Sequence, residues 1–243
     1  MSNIPLAYGA GESVAYDQGP SVQPDVMLWA WERPEDLRFI DPHEIGVAFL
    51  ARTIQVTGEK VYVRPRLQPL NIPQGTYLVA VVRLQISRKE RPQFSPSLCS
   101  KVASAMGEMK NMKGVSAVQI DFDAKASERV FYSEIIHELR KELPAAIALS
   151  ITALASWCIH DYWLLALPID EAIPMLFRMG PEGDWVSLFL EEGRDFRPLC
   201  NKSIGISADE HPPKIPKGRR LYLFNPKPWS EEAFRKVIRE VRP

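Results

Sequence analysis

Eight short apolar runs recur along the chain, and they constrain its fold more than any other feature. They are Val26–Trp31, Ile45–Ile54, Thr76–Ile86, Val115–Phe122, Ala146–Thr152, Ala172–Phe177, Ser203–Ser207 and Arg220–Phe224. Most are near-continuously hydrophobic rather than alternating, which is the pattern of parallel strands covered on both faces. Helical patterns separate several of them. Ser95 and Pro96 supply an N-cap and a first-turn proline to a helix striped by Leu98, Val102, Ala105 and Met109. Residues 128–143 place Tyr132, Ile136, Leu139 and Leu143 on one face, and Pro144 ends that helix. Ser230 caps a last helix, with Trp229 placed to staple onto Phe234. The second connection differs. Val56–Leu70 holds Thr57-Gly58-Glu59 between two extended stretches and predicts a β-hairpin.

Strand–helix alternation calls for right-handed parallel crossovers, and eight repeats in about 218 residues suit a closed barrel. The expected fold is α/β: a single (β/α)8 TIM-barrel-like domain over residues 26–243, its second helix replaced by the hairpin. Residues 1–25, rich in Gly, Ser, Pro and Gln without periodicity, predict an N-terminal tail or arm. An open doubly wound sheet is the alternative. That fold carries a glycine-rich turn after its first strand, where this chain has Glu32-Arg33-Pro34. The GxG at Gly9 and Gly11 has no third glycine and no strand before it, so no dinucleotide site, and no cofactor, is expected.

Composition narrows the function further. Hydrophobic residues make up 46% of the 243 and charged residues 25%, enough for a sizeable core. Thirty Lys and Arg balance thirty Asp and Glu, so no basic surplus exists to grip nucleic acid or an anionic membrane. No run approaches the 18 apolar residues of a membrane span. The first 25 residues lack the basic start and apolar run of a signal peptide. Cys99, Cys158 and Cys200 are odd in number, with no CxxC among them. They predict reduced thiols in a cytoplasmic protein, export being the alternative if a leader had been trimmed. The four histidines show neither HExxH nor HxH, and neither GxSxG nor a cysteine–histidine signature is present, so no metal site is expected. Nothing in the pattern signals an oligomeric state.

In a barrel of this kind chemistry sits at the C-terminal strand ends. There the runs present Trp29, Trp31 and Glu32, then Arg83 and Gln85, then Asp121 and Asp123. Thr152 and Trp157 follow, then Arg178, then Ser207, Asp209 and Glu210, and last Asn225. Carboxylates, tryptophans and amides converging on one face describe a carbohydrate site better than a phosphate or metal site. Asp121 and Asp123 are two apart on a strand, so they point the same way at roughly 7 Å. Two such carboxyls cannot both ionise freely in a low-dielectric pocket, and glycoside hydrolysis needs one protonated and one ionised. Asp123, nearer the strand end, is the expected acid. Asp121, deeper and near Arg83, is expected to stay ionised, with Glu210 as the second acid across the mouth. Trp29 and Trp31 share one face of their strand, so at least one would line the mouth, and Trp31 and Trp157 would stack a sugar ring. Arg83, Asp209 and Asn225 would bind the glycan, and Arg178 would suit an acidic or N-acylated sugar. A structural reading stands beside this one: one aspartate caps the helix beginning near Ser127 while the other orders an arginine. Asp170 and Glu171 precede the sixth strand at the bottom face, where stability is the expected role.

Val118–Glu128, Ser150–Trp157 and Pro168–Gly180 together resemble an uncharacterised bacterial family of glycoside-hydrolase-like barrels known as a domain of unknown function. The likeness runs from about Val26 to Phe224. It implies the barrel fold and a distant kinship with sugar-cleaving barrels. Ile120-Asp121-Phe122-Asp123 is also similar to the fourth-strand motif of the chitinase-type hydrolases. There the motif continues to a catalytic glutamate two residues after the last aspartate. This chain has Lys125 in that place, and Glu128 at the helix start. Two functional readings follow: a glycan hydrolase using paired carboxylates, and a non-catalytic carbohydrate-binding or pseudo-enzyme barrel.

Overall fold

The computed structural model describes residues 22–241. The expected N-terminal arm lies outside the described residues except for its last four. In chain order the first strands are β1 (Val26–Ala30), β2 (Glu35–Asp36), β3 (Ile45–Thr57), β4 (Lys60–Pro65), β5 (Leu70–Asn71) and β6 (Leu78–Ile86). Helix α1 (Pro96–Gly107) leads to β7 (Val115–Asp121), then α2 (Arg129–Glu142) and β8 (Ala148–Leu154). The single turn α3 (Trp157–His160), β9 (Glu171–Met175), α4 (Gly183–Glu191), β10 (Ser203–Ser207), β11 (Arg220–Phe224) and α5 (Glu231–Val241) complete the order.

All eight apolar runs are strands, and they close on themselves. The ring runs β1-β3-β6-β7-β8-β9-β10-β11, every pair parallel, with β11 returning to β1. An open sheet would leave β1 at an edge; here it pairs on both sides. The fold is a TIM barrel. Its helices form where the capping pattern placed them. Ser95 Oγ accepts from Leu98 N–H at 3.2 Å, and α1 buries Leu98, Val102 and Met106. Helix α2 buries Phe131, Tyr132, Ile135, Ile136 and Leu139. Ser230 Oγ accepts from Ala233 N–H at 3.1 Å. Trp229, expected as a staple, is buried and tied elsewhere: its indole N–H donates to Trp29 O at 3.1 Å and its backbone N–H to Glu35 Oε2 at 2.9 Å.

The expected hairpin is β3–β4, pairing from Arg52↔Pro65 to Thr57↔Lys60. Gly58 takes φ +54 in its turn, a left-handed conformation that favours glycine. At 13 residues β3 outruns its barrel neighbours, and β6 follows it to Val56↔Ile86. The two strands stand above the rest of the mouth. A register step at Leu50/Arg52 bends them as they leave the ring.

Alternation with period two sorts each strand between an outer core and the barrel interior. The interior holds Met27, Ala48, Val79, Ala117, Ile173 and Tyr222. Gly46 and Gly205 are small because the thioethers of Met27 and Met175 occupy the space a Cβ would need. Glu171 closes the floor, accepting from Ser203 Oγ at 2.7 Å and pairing with Arg220 at 3.3 Å. Its neighbour Asp170 accepts from Leu149 N–H at 2.7 Å. Both acids sit at the N-terminal end of the barrel and hold the structure together there.

The cysteines correct the expectation of reduced thiols. Cys158 and Cys200 form a disulfide with Cα atoms 5.7 Å apart, and Cys99 alone is free and buried. The partners are 42 residues apart, a separation without a sequence signature. They meet because Arg197 binds the α3 segment twice, backbone N–H to Cys158 O at 3.2 Å and Nε to Ile159 O at 3.0 Å. Among the described residues no helix is long and apolar enough to cross a membrane.

Candidate active site at the barrel mouth

A cavity of about 590 Å³ opens at the C-terminal strand ends. It is lined by Trp29 and Trp31 from β1 and its end, Arg83 from β6, Asp121 and Asp123 around the end of β7, and Thr152 from β8. Met175 at the end of β9, Phe177 and Arg178 after it, Ser207, Phe224 and Asn225 also line it. Seven of the ten residues singled out in the sequence therefore share one pocket: Trp29, Trp31, Arg83, Asp121, Asp123, Arg178 and Asn225.

The aromatic side is continuous. The Trp29 ring centroid lies 4.3 Å from Phe224 and 6.1 Å from Trp31, and Phe177 lies 4.7 Å from Phe224. The Arg83 guanidinium sits over Trp31 at 4.9 Å, a cation–π contact that orients both. Trp29 Nε1 is buried without a hydrogen-bond acceptor among the described residues.

The acidic side is built by β7. Thr152 Oγ1 donates to Asp121 Oδ1 at 2.9 Å. Burial pushes the Asp121 carboxyl up to about 6, the Asp123 charge adds to the rise, and Arg83 and the Thr152 hydrogen bond oppose it. Asp123 is exposed at the rim and makes neither ion pair nor hydrogen bond among the described residues. The raised group is thus Asp121, where the sequence pattern pointed to Asp123 as the acid and Asp121 as its ionised partner. Depth in the pocket decides it. Behind Asp121, Gln119 Nε2 donates to Ser150 Oγ at 3.1 Å, and the Tyr132 hydroxyl is buried without a hydrogen-bond partner among the described residues. Burial first, then the charges of Asp121 and Asp123, push the Tyr132 phenol far up.

Three expected residues are not on the pocket wall. Glu210 and Asp209 are held by Arg178. Its backbone N–H donates to Glu210 Oε2 at 3.0 Å, its Nε lies 3.6 Å from Glu210 Oε1, and its Nη2 lies 3.3 Å from Asp209 Oδ2. Ser207 Oγ also donates to Asp209, and that bond foremost holds the Asp209 carboxyl below the usual range. Arg178 takes φ +49, left-handed backbone that a side-chain-bearing residue rarely adopts. Trp157 is 3% exposed and packs edge-on against Trp163 at 5.3 Å. Neither aspartate caps the helix after β7. Glu128 Oε2 instead accepts from Lys125 N–H at 2.9 Å, closing the 3-10 turn that precedes α2.

Phe177 and Phe224 were missed as wall residues. Phe224 carries the one usable signal: it is two residues after Tyr222 on a strand, so it shares the inward face. Among the described residues no group of three or more His, Cys, Asp and Glu is placed to hold a metal ion.

Fold and site together define a TIM barrel with an aromatic and acidic pocket at its mouth. Residues 74–172 match the family described as "Domain of unknown function (DUF3142)". That stretch contains Val118–Glu128 and Ser150–Trp157 and ends inside Pro168–Gly180, so the resemblance carried by those motifs holds. No curated protein matches the chain. A solved structure described as a chitinase A from Streptomyces coelicolor superposes with TM-score 0.58 at 10% identity, covering 89% of this chain and 96% of that one. An endo-beta-N-acetylglucosaminidase from Cordyceps militaris, in apo form, gives TM-score 0.44 at 10% identity, covering 90% of each chain.

Proposed function

We propose that the protein binds a glycan at the barrel mouth and hydrolyses a glycosidic bond there, with Asp121 as the proton-carrying acid and Asp123 beside it. The observation that carries this reading is a carboxyl raised to about 6 at the floor of an aromatic-walled pocket, next to a free carboxylate. Protonated Asp121 gives its proton to the leaving oxygen as the bond to the anomeric carbon breaks. The Asp123 carboxylate faces the positive charge that builds on the ring, and a water adds its hydroxyl to that carbon while its proton returns to the carboxylate pair. Trp31 and Phe224, each partly exposed, present the apolar edge of the aromatic wall to a ring.

A second reading, the non-catalytic sugar-binding barrel, is favoured by one observation: Arg178 occupies both acids on the far side of the mouth. Turnover separates the two. The hydrolase reading expects cleavage of at least one member of a glycan panel, lost in Asp121→Asn with binding retained. Binding without turnover in the wild type, across pH 4 to 7, leaves the binding module. The Cys158–Cys200 disulfide supports an oxidising compartment, and so the exported alternative, as the place where either function operates.

A further inference from the structure

Beyond Asp121 the mouth does not end. A second hollow of about 550 Å³ shares Arg83, Asp121 and Asp123 with the first and extends between the tall β3–β6 pair and the start of α2. Its far end is lined by Arg88, Lys89 and Lys125, and a smaller adjoining hollow adds Arg91. The arginines among these cations are unusual in this molecule. Among the described arginines only Arg83, Arg88, Arg91 and Arg239 make neither a hydrogen bond nor an ion pair, and the first three surround this one feature. Glu128, which lines the same hollow, is spent on the Lys125 backbone N–H.

The loop carrying Arg88 and Lys89 is anchored to the hairpin. Ser87 N–H donates to Val56 O at 2.8 Å, Gly58 N–H to Glu90 O at 3.0 Å, and Glu90 N–H to Ser87 Oγ at 3.2 Å. The hairpin that replaces the second helix therefore serves as a platform for unpaired positive charge beside the aspartates.

We infer that this hollow is a subsite for an anionic substituent, carboxylate or sulfate, on the sugar unit next to the one held at Asp121 and Asp123. The inference rests on the glycan reading of the mouth, and it replaces the expected anionic contact at Arg178, whose charge is already matched. Arg88 and Lys89 would meet the anion directly, and Gln55 and Gln85, paired across β3 and β6, would meet its hydroxyl neighbours.

Calorimetric titration of the full chain tests it with three probes: an oligogalacturonate (carboxylate only), a sulfated galactan oligosaccharide (sulfate only) and a neutral chito-oligosaccharide. At least one anionic probe is expected to bind about tenfold or more tighter than the neutral one, more weakly as salt is raised. The double variant Arg88→Ala/Lys89→Ala, on an exposed loop, is expected to erase that preference and leave neutral binding unchanged. Which anionic probe wins identifies the group. Equal affinity for charged and neutral probes overturns the subsite while leaving the glycan reading standing, as does a preference that survives the double variant. Absence of binding by all three at about 1 mM overturns both. Failure of turnover alone overturns the hydrolase and not the subsite.

Discussion

The two sides of the barrel mouth carry the same kinds of residue and do opposite things with them. On the β9–β10 side one arginine and two acids, Arg178, Asp209 and Glu210, neutralise one another at 3.0 to 3.6 Å. On the β6–β7 side Arg83 faces Trp31, and among the described residues Thr152 alone hydrogen-bonds the Asp121 side chain while that of Asp123 has no hydrogen-bond or ion-pair partner. Charge satisfied within the protein closes a surface; charge left unsatisfied near burial keeps it available to a ligand. The difference comes from backbone. Arg178 adopts φ +49, which turns its N–H and guanidinium together onto the next loop, whereas Asp121 is fixed by strand parity and cannot turn away.

The largest effect expected from this contrast is on turnover. Asp121→Asn and Asp123→Asn should each lower turnover of a cleaved glycan by at least about a hundredfold, while Glu210→Gln changes it less than about threefold. Equal losses in all three would mean that both sides take part, and the comparison would fail. The pH profile sharpens it. An acid raised to about 6 is active protonated, so kcat/KM should fall about tenfold per pH unit above that point.

A smaller effect concerns stability. Because the folded-state pKa of Asp121 lies above its unfolded value near 3.8, the folded protein binds the extra proton between about pH 4 and 6. Stability contributed by this group is thus present below pH 4 and falls as pH rises to about 6. Asp121→Asn removes the penalty, and Asn can still accept from Thr152. The variant should be more stable than wild type at pH 7.5, by at most about 3 kcal/mol, and no more stable at pH 4. Thermal melts at the two pH values measure this. A variant destabilised at pH 7.5 would show that the carboxylate supports the fold instead.

The fold was legible because parallel strands buried on both faces announce themselves by composition, and because Ser95-Pro96 and Gly58 carry their own local geometry. Strand parity made Trp29, Trp31, Asp121 and Asp123 legible as one face. What stayed hidden depends on loops. The approach of Cys158 to Cys200 follows from Arg197 binding a segment 38 residues away, and no spacing rule encodes that. The same holds for Arg178 and Glu210, 32 residues apart, and for Trp157, whose place just past a strand end suggested the mouth while a 3% exposure puts it in the core. Asp121 and Asp123 were visible as a pair, but only depth could say which of them is raised.

The smallest predicted effect tests the closed side directly. Arg178 is 62% exposed in its side chain, and its partners Asp209 and Glu210 are 42% and 37% exposed, so solvent and salt screen the cluster. Removing the guanidinium should therefore cost little. Arg178→Ala keeps the left-handed strain and loses the ion pairs; Arg178→Gly loses the same pairs and relieves the strain. The glycine variant is expected to be the more stable of the two by about 0.5–1 kcal/mol, with both within about 1 kcal/mol of wild type. Either variant also frees Glu210 from the guanidinium, leaving it the backbone N–H of residue 178. If the two sides differ only in how their charge is matched, the freed acid gives Arg178→Gly a new dependence of glycan affinity on pH, absent from the wild type. Unchanged affinity at every pH would show that the β9–β10 side is closed by position rather than by charge.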